Sequence, residues 1–289
     1  MVKELLLGDN PFIGVSHLSN EKAREEQSEA TVENKVRVIE AAVKGGATGF
    51  TFSTHSSNLE LLTYLKENRS ELFERLNYYV LVPYAAKYVR EATSLGTSQL
   101  VKKVFLGNLN YRNILYLLWP TPANLIKMFL EAELKEYMRV LPNTRAVLLH
   151  EVLTELIVAF NLGQIVEELA KHFSRKGLGF GLETRNVKHV KYFLENNEIA
   201  TDYLMTPLNP LGYQMTLKNE EAENILRDLS ARGVNIIAIN TLASGSVTPD
   251  HAINYLKRFK KCLFAVAVGT SKSWRAYELF QQLSILKFT

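Results

Sequence analysis

Polar and ionisable residues collect where the chain's short apolar runs end. Asp9 and Asn10 follow "ELLLG", His55 follows "GFTFST", and Tyr84 follows "YYVLVP". His150 closes "AVLLH", Glu183 closes "GLGFGLE" with Arg185 two residues on, Asn209 follows "MTPL", and Asn240 and Ser244 follow "NIIAI". After the last run, "LFAVAV", comes Gly269-Thr270-Ser271-Lys272. Imidazoles, a buried carboxyl and a phenol are the groups that move protons in catalysis. A small-residue turn opening a helix, with backbone N–H groups, hydroxyls and a lysine, makes a cradle for an anion such as phosphate. His150, His55, Glu183 and Tyr84 are therefore the candidate catalytic residues. Asp9, Asn10, Arg185, Asn209, Asn240, Ser244, Gly269, Thr270, Ser271 and Lys272 are the candidate ligand-binding residues.

Each has a plainer reading of comparable weight. His150 can be a hydrogen-bonded structural residue, Glu183 can pair with Arg185, and Ser271 can simply cap a helix. Asp9-Asn10-Pro11 has the composition of a turn. His55, His150 and Glu183 are ligand types for a divalent metal, but no H-x-H or H-E-x-x-H spacing occurs, so no metal site is assigned.

These residues need a frame that brings strand ends together. Strands are expected at Glu4–Leu7, Gly49–Ser53, Tyr78–Val82, Ala146–Leu149, Leu178–Leu182, Tyr203–Thr206, Asn235–Ile239 and Leu263–Val268, with helical patterns between them. In "NEEAENILRDLSARG", for example, Ala222, Ile225, Leu226 and Leu229 share one helix face and Gly233 stops it. Eight βα units over 289 residues predict a single (β/α)8 (TIM) barrel domain spanning residues 1–289, with its chemistry at the C-terminal strand ends. An open doubly wound sheet is the alternative, but "GDNPFIG" after the first strand lacks the Gly-x-Gly-x-x-Gly fingerprint. The stretch 98–143 is too long for one barrel helix and reads as a helical insertion between the third and fourth strands. Its second half has Thr121 as N-cap, Pro122 at the first helical position and a stripe of Ile126, Leu130, Leu134, Tyr137 and Leu141. It can serve as a lid, as a contact for a homo-oligomer, or as extra packing on the flank.

"NTLASGSVTP" and "VGTSKSWRAYELF" resemble the last two strand ends of aldo-keto reductases, where a "PLAxG"-like turn and a "GxS"-like turn hold NADPH. "TPLNPLGYQM" resembles that family's sixth strand, and "VIEAAVKGGATGFTFSTHSSNLELL" its second βα unit. The likeness runs through most of the chain and implies a (β/α)8 barrel of the NADP-dependent oxidoreductase type. Most of the family's catalytic tetrad is replaced. Its Asp position falls on Thr51, its Tyr on Ser56 and its Lys on or near Tyr84, while its His matches His150. The Ser-Asn pair that grips the nicotinamide amide falls on Glu183 and Thr184, and the Gln of the sixth strand falls on Met205. A serine hydroxyl is far less acidic than a tyrosine near pKa ~10, so Ser56 cannot serve as the proton donor.

The net charge of +4 with scattered basic residues argues against nucleic acid or an anionic membrane as partner. The single cysteine, Cys262 in "KKCLFAVAVG", excludes an internal disulfide and fits a reducing cytoplasm. The opening "MVKELLLGDNPF" is too short in apolar residues for a signal peptide or a membrane span. Three functions fit these residues. The favoured one is an enzyme with altered active-site chemistry that binds a phosphorylated small molecule and uses His/Glu acid–base catalysis. The others are an NADPH-dependent oxidoreductase whose proton donor has moved to His150 or Tyr84, and a non-catalytic ligand-binding barrel.

Overall fold

The computed structural model describes the chain apart from residues 14–30, 85–120, 142, 218 and 289. Eight parallel strands pair in sequence order and close into a barrel, with the eighth bonded to the first. They are β1 (Glu4–Gly8), β2 (Gly49–Ser53), β3 (Asn77–Val82) and β4 (Thr144–Leu149), then β5 (Gly179–Glu183), β6 (Tyr203–Pro207), β7 (Asn235–Ile239) and β8 (Leu263–Val268). Every expected strand is present; the ends differ by at most two residues, as at β5, which runs on to include Glu183.

Strand alternation decides what fills the barrel. Leu6, Tyr79, Ala146, Leu148, Met205, Ile237, Ala265 and Ala267 point inward and pack together. Their neighbours, such as Leu5, Leu7, Phe50, Phe52, Val80 and Val266, face the helices. Large and small side chains must interleave in so narrow a space. At Gly181 even a Cβ would sit 2.5 Å from Leu148 Cδ2 and 2.6 Å from Tyr203 Cβ.

The floor of the barrel is closed by aromatic rings and by one polar chain. Tyr79, Tyr203 and Phe264 meet edge to face with centroids 5.6–6.5 Å apart. Asn77 Nδ2 donates to Glu4 Oε1 at 3.1 Å, and Arg145 Nε donates to Asn77 Oδ1 at 2.9 Å.

The helices cover the outer faces. They are α1 (Val32–Gly45), α2 (Ser56–Asn68), α3 (Ser70–Arg75), α4 (Pro122–Val140), α5 (Glu151–Ala159) and α6 (Gly163–Ser174). After them come α7 (Val187–Asn196), α8 (Asn219–Ala231), α9 (Pro249–Leu256), α10 (Ser273–Leu283) and α11 (Ile285–Phe288). In α1, Thr31 Oγ1 accepts from Asn34 N at 3.2 Å, and the helix stops at Gly46, whose φ of 115° suits glycine. α8 buries Ala222, Leu226 and Leu229 and is followed by Gly233 at φ 90°.

Thr121 caps α4 as expected, with Pro122 in its first turn. Leu130, Leu134 and Tyr137 are buried, and the helix packs between α2 and α6. This half of the expected insertion is thus the ordinary flanking helix between β3 and β4. The remainder, through residue 120, lies outside the described residues. Among the described residues no helix is long and apolar enough to cross a membrane.

Candidate active site

A cavity of about 440 Å³ opens at the C-terminal strand ends, where (β/α)8 barrels carry their chemistry. Its base is apolar, with Leu81, Met205, Ile239 and Ala267, and Asp9 and Glu183 stand in its wall. Asn10, Asn240, Thr241 and Ser244 line one side, and the run Gly269–Lys272 with Trp274 and Arg275 lines another. Of the expected site residues, Asp9, Asn10, Glu183, Asn240, Ser244, Gly269, Thr270, Ser271 and Lys272 therefore meet in one place.

Glu183 ends β5 and is only 8% exposed. Its Oε2 accepts from the Glu151 backbone N–H at 3.1 Å, while among the described residues nothing bonds to Oε1. Burial pushes this carboxyl up to about 8; the like charge of Glu151 adds to the rise, and the Glu151 N–H and Arg185 oppose it. The alternative reading of Glu183, an ion pair with Arg185, is not what the structure has. Arg185 instead grips Glu151 with both Nε and Nη2, at 2.6 and 2.7 Å, outside the cavity. A forked pair fits the guanidinium better than a single bond to a neutral carboxyl.

Asp9 is buried at the end of β1, and its Oδ2 is crowded with donors. Ser53 N and Ser53 Oγ each reach it at 2.9 Å and Asn58 Nδ2 at 2.7 Å. Burial raises its pKa, and these hydrogen bonds, those from Ser53 first, work against the rise. Asp9 thus ties the first strand end to the second and keeps one face toward the cavity.

Both candidate histidines lie off the cavity wall. Each is the N-cap of the helix that follows its strand, and its Nδ1 accepts from a backbone N–H two residues on. His55 takes Ser57 N and His150 takes Val152 N, each at 3.2 Å. With Nδ1 occupied as an acceptor, the neutral rings carry their proton on Nε2. Burial lowers the pKa of His150. His55 packs edge-on against Tyr84 with ring centroids 4.9 Å apart, so Tyr84 too stands aside from the cavity. Asn209 also lies off the cavity wall. It is fully buried, and its side chain donates to Tyr213 O and accepts from Tyr213 N, both at 2.8 Å, clamping the turn after β6.

The β7 loop carries unusual backbone. Asn240, Ala243 and Ser244 have φ of 52°, 44° and 56°, in the left-handed region that costs a non-glycine residue about 1–2 kcal/mol. Asn240 Nδ2 donates to Gln214 Oε1, and Gln214 itself has φ 57°. Strain of this kind concentrates at ligand-binding sites. Thr241, not singled out in the sequence, is 1% exposed and among the described residues its Oγ1 has no hydrogen-bond partner. No local sequence signal marks an orphaned hydroxyl, since its environment comes from other strands.

At the β8 turn, α10 begins at Ser273 with Lys272 as N-cap, so Ser271 does not cap the helix. Thr270 Oγ1 accepts from Lys272 N at 3.3 Å and Asn34 Nδ2 donates to Ser271 O at 3.1 Å. Gly269 lies against the turn after β1, where an added Cβ would be 2.8 Å from Pro11 Cδ. Among the described residues no cluster of His, Cys, Asp and Glu suited to a metal ion occurs.

No known family model matches the sequence, and no curated protein matches it. Its backbone does match solved structures. A Pseudomonas aeruginosa protein assigned to the aldo-keto reductases superposes with a TM-score of 0.60 at 16% identity, over 99% of this chain and 92% of that one. The holo form of a Bacillus halodurans aldo-keto reductase gives 0.55 at 12% identity, over 98% and 87%. A glycerol dehydrogenase from Gluconobacter oxydans gives 0.54 at 12%, over 96% and 85%. This chain has the closed (β/α)8 fold of the aldo-keto reductases.

Proposed function

We propose that the chain is an enzyme that binds a phosphorylated small molecule at the barrel mouth and transfers a proton through Glu183. The observation that carries this reading is the state of that carboxyl. It is buried in the cavity wall, burial pushes its pKa up to about 8, and among the described residues only one of its oxygens is held by a hydrogen bond. A neutral carboxylic acid in such a setting donates a proton and afterwards accepts one. His150 acts through position: by capping α5 it holds the Glu151 N–H against Glu183.

The anion end of the cavity supports the ligand class. Lys272 and Arg275 bring positive charge, the Thr270–Ser271 segment leads into the N-terminus of α10, and among the described residues the Thr241 hydroxyl lacks a partner. The fold's usual NADPH fits only in part. Its phosphates suit that same wall, which favours the second reading, an oxidoreductase with a relocated proton donor. The ring end suits it poorly. Thr184 is fully buried with its hydroxyl donated to Glu155, and Met205 offers no hydrogen bond of comparable strength.

Thermal unfolding against matched pairs of phosphorylated and dephosphorylated metabolites, with NADPH included, tests the reading. At least one phosphorylated compound should raise Tm by several degrees while its dephosphorylated partner does not, and Lys272→Ala should abolish the shift. Stabilisation by NADPH alone favours the second reading. If no phosphorylated compound has an effect, the proposal fails.

A further inference from the structure

Two carboxyls, not one, stand in the cavity wall, and the barrel sets them against each other. Asp9 follows β1 and Glu183 ends β5. The eight strands close in sequence order, so β1 and β5 are four places apart in either direction and the two residues rise from opposite walls. Alternation along β5 sends Leu182 toward the helices and Glu183 to the inner side. Between the two carboxyls lies the apolar base of Leu81, Met205, Ile239 and Ala267.

Their surroundings push them to opposite charge states, the pattern of a paired acid and base. Three donors converge on Asp9 Oδ2, from Ser53 N, Ser53 Oγ and Asn58 Nδ2, and leave that oxygen no room for a proton. They oppose the rise that burial alone would give Asp9. Lys35 adds a cation from α1. It is 3% exposed, and its Nζ donates to Ser57 Oγ at 2.5 Å. Burial lowers its pKa, and the negative charges of Glu60 and Asp9 hold it up. Glu183 accepts one N–H only, and the like charges of Glu151 and Asp9 face it against Arg185.

We infer that Asp9 is a second catalytic residue, the base that removes a proton from carbon on one face of the bound compound while Glu183 delivers one to the other face. This rests on the role proposed for Glu183. Asp9 Oδ1, which no other described residue bonds, takes the proton from a carbon beside a carbonyl. The C–H electron pair moves into the double bond of an enolate, and the carbonyl oxygen takes the charge. The pair then returns to carbon and forms a new C–H bond with the Glu183 proton on the far side. The carbon is inverted, the product is an isomer of the substrate, and proton exchange with water resets both carboxyls. The apolar base between them keeps out water that would protonate the enolate from either face. The substrate class is a phosphorylated compound with a stereogenic C–H next to a carbonyl, such as a sugar phosphate.

The full chain, incubated in heavy water with a panel of aldose and ketose phosphates from triose to hexose and followed by proton NMR, reads both halves of the step. At least one compound that raises Tm should take up solvent deuterium at the carbon beside its carbonyl and appear as the inverted isomer. Glu183→Gln, which touches none of the Asp9 hydrogen bonds, should still exchange that proton but form no inverted isomer. Asp9→Asn should slow exchange from the same isomer at least about 100-fold, as loss of a general base does, with affinity for the compound little changed. Loss of exchange in Glu183→Gln overturns the role of Asp9, as does exchange that survives Asp9→Asn. Compounds that raise Tm but exchange nothing in the wild type overturn it too, and leave phosphate binding standing. If no compound of the panel raises Tm, the phosphate assignment fails first and the role of Asp9 falls with it.

Discussion

Replacing Glu183 by glutamine should stabilise the protein at neutral pH while removing its proposed chemistry. The carboxyl titrates near 4.5 when unfolded and near 8 when folded, so the folded state holds a proton that the unfolded state releases. Its contribution to stability is fully present below about pH 4.5 and is lost as pH rises through 8. At about 1.4 kcal/mol per pH unit, the loss reaches roughly 3 kcal/mol at pH 7 and nearly 5 kcal/mol above pH 8. Burial of the side chain means that solvent does little to screen it. Glutamine has nearly the same shape, keeps an oxygen for the Glu151 N–H and does not titrate. Urea unfolding of both proteins at pH 5, 7 and 9 measures the difference. The variant should gain about 3 kcal/mol on the wild type between pH 5 and 7 and more by pH 9, with unchanged m-values. Curves that stay parallel within about 1 kcal/mol would mean that Glu183 titrates as an ordinary carboxylate, and the acid–base assignment would go with it.

Three further outcomes are expected. Gly269→Val drives a side chain into Pro11 and should cost about 1–3 kcal/mol in chemical denaturation, together with weaker phosphate binding by calorimetry; a neutral result would show that the β1 and β8 turns yield freely. Asn209→Ala removes both hydrogen bonds to Tyr213 and should cost roughly 2–3 kcal/mol, with the phosphate affinity of the folded protein little changed. Simple aldehydes should be reduced weakly or not at all with NADPH, since Ser56, Tyr84 and Thr51 occupy the tetrad's Tyr, Lys and Asp positions; brisk turnover that persists in His150→Ala and Tyr84→Phe would refute that alignment.

The barrel was legible because each strand is a short apolar run bounded by turn residues, and eight such runs with helical spacers leave few alternatives. Strand ends then told which residues top the barrel, and Asp9, Glu183, Asn240 and Gly269–Lys272 do line the cavity. The histidines stand off the cavity wall for a local reason. A residue just past a strand is also the first before a helix, and capping turned the His55 and His150 rings toward the Ser57 and Val152 amides. Asn209 shows the same competition, with its amide spent on the backbone four residues ahead. Thr241 and the partners of Asp9 escaped notice because their surroundings are assembled from distant segments.

The plugged floor of the barrel governs traffic. Among the described residues Tyr79, Tyr203 and Phe264, with the Glu4–Asn77–Arg145 chain, pack across the rear of the barrel, so whatever occupies the cavity should come and go through its mouth. Two molecules stacked in it would load in compulsory order, the deeper before the shallower, and depart in reverse. Initial-rate patterns for a two-substrate reaction here would accordingly be ordered, and excess of the outer molecule would slow turnover by trapping the inner one.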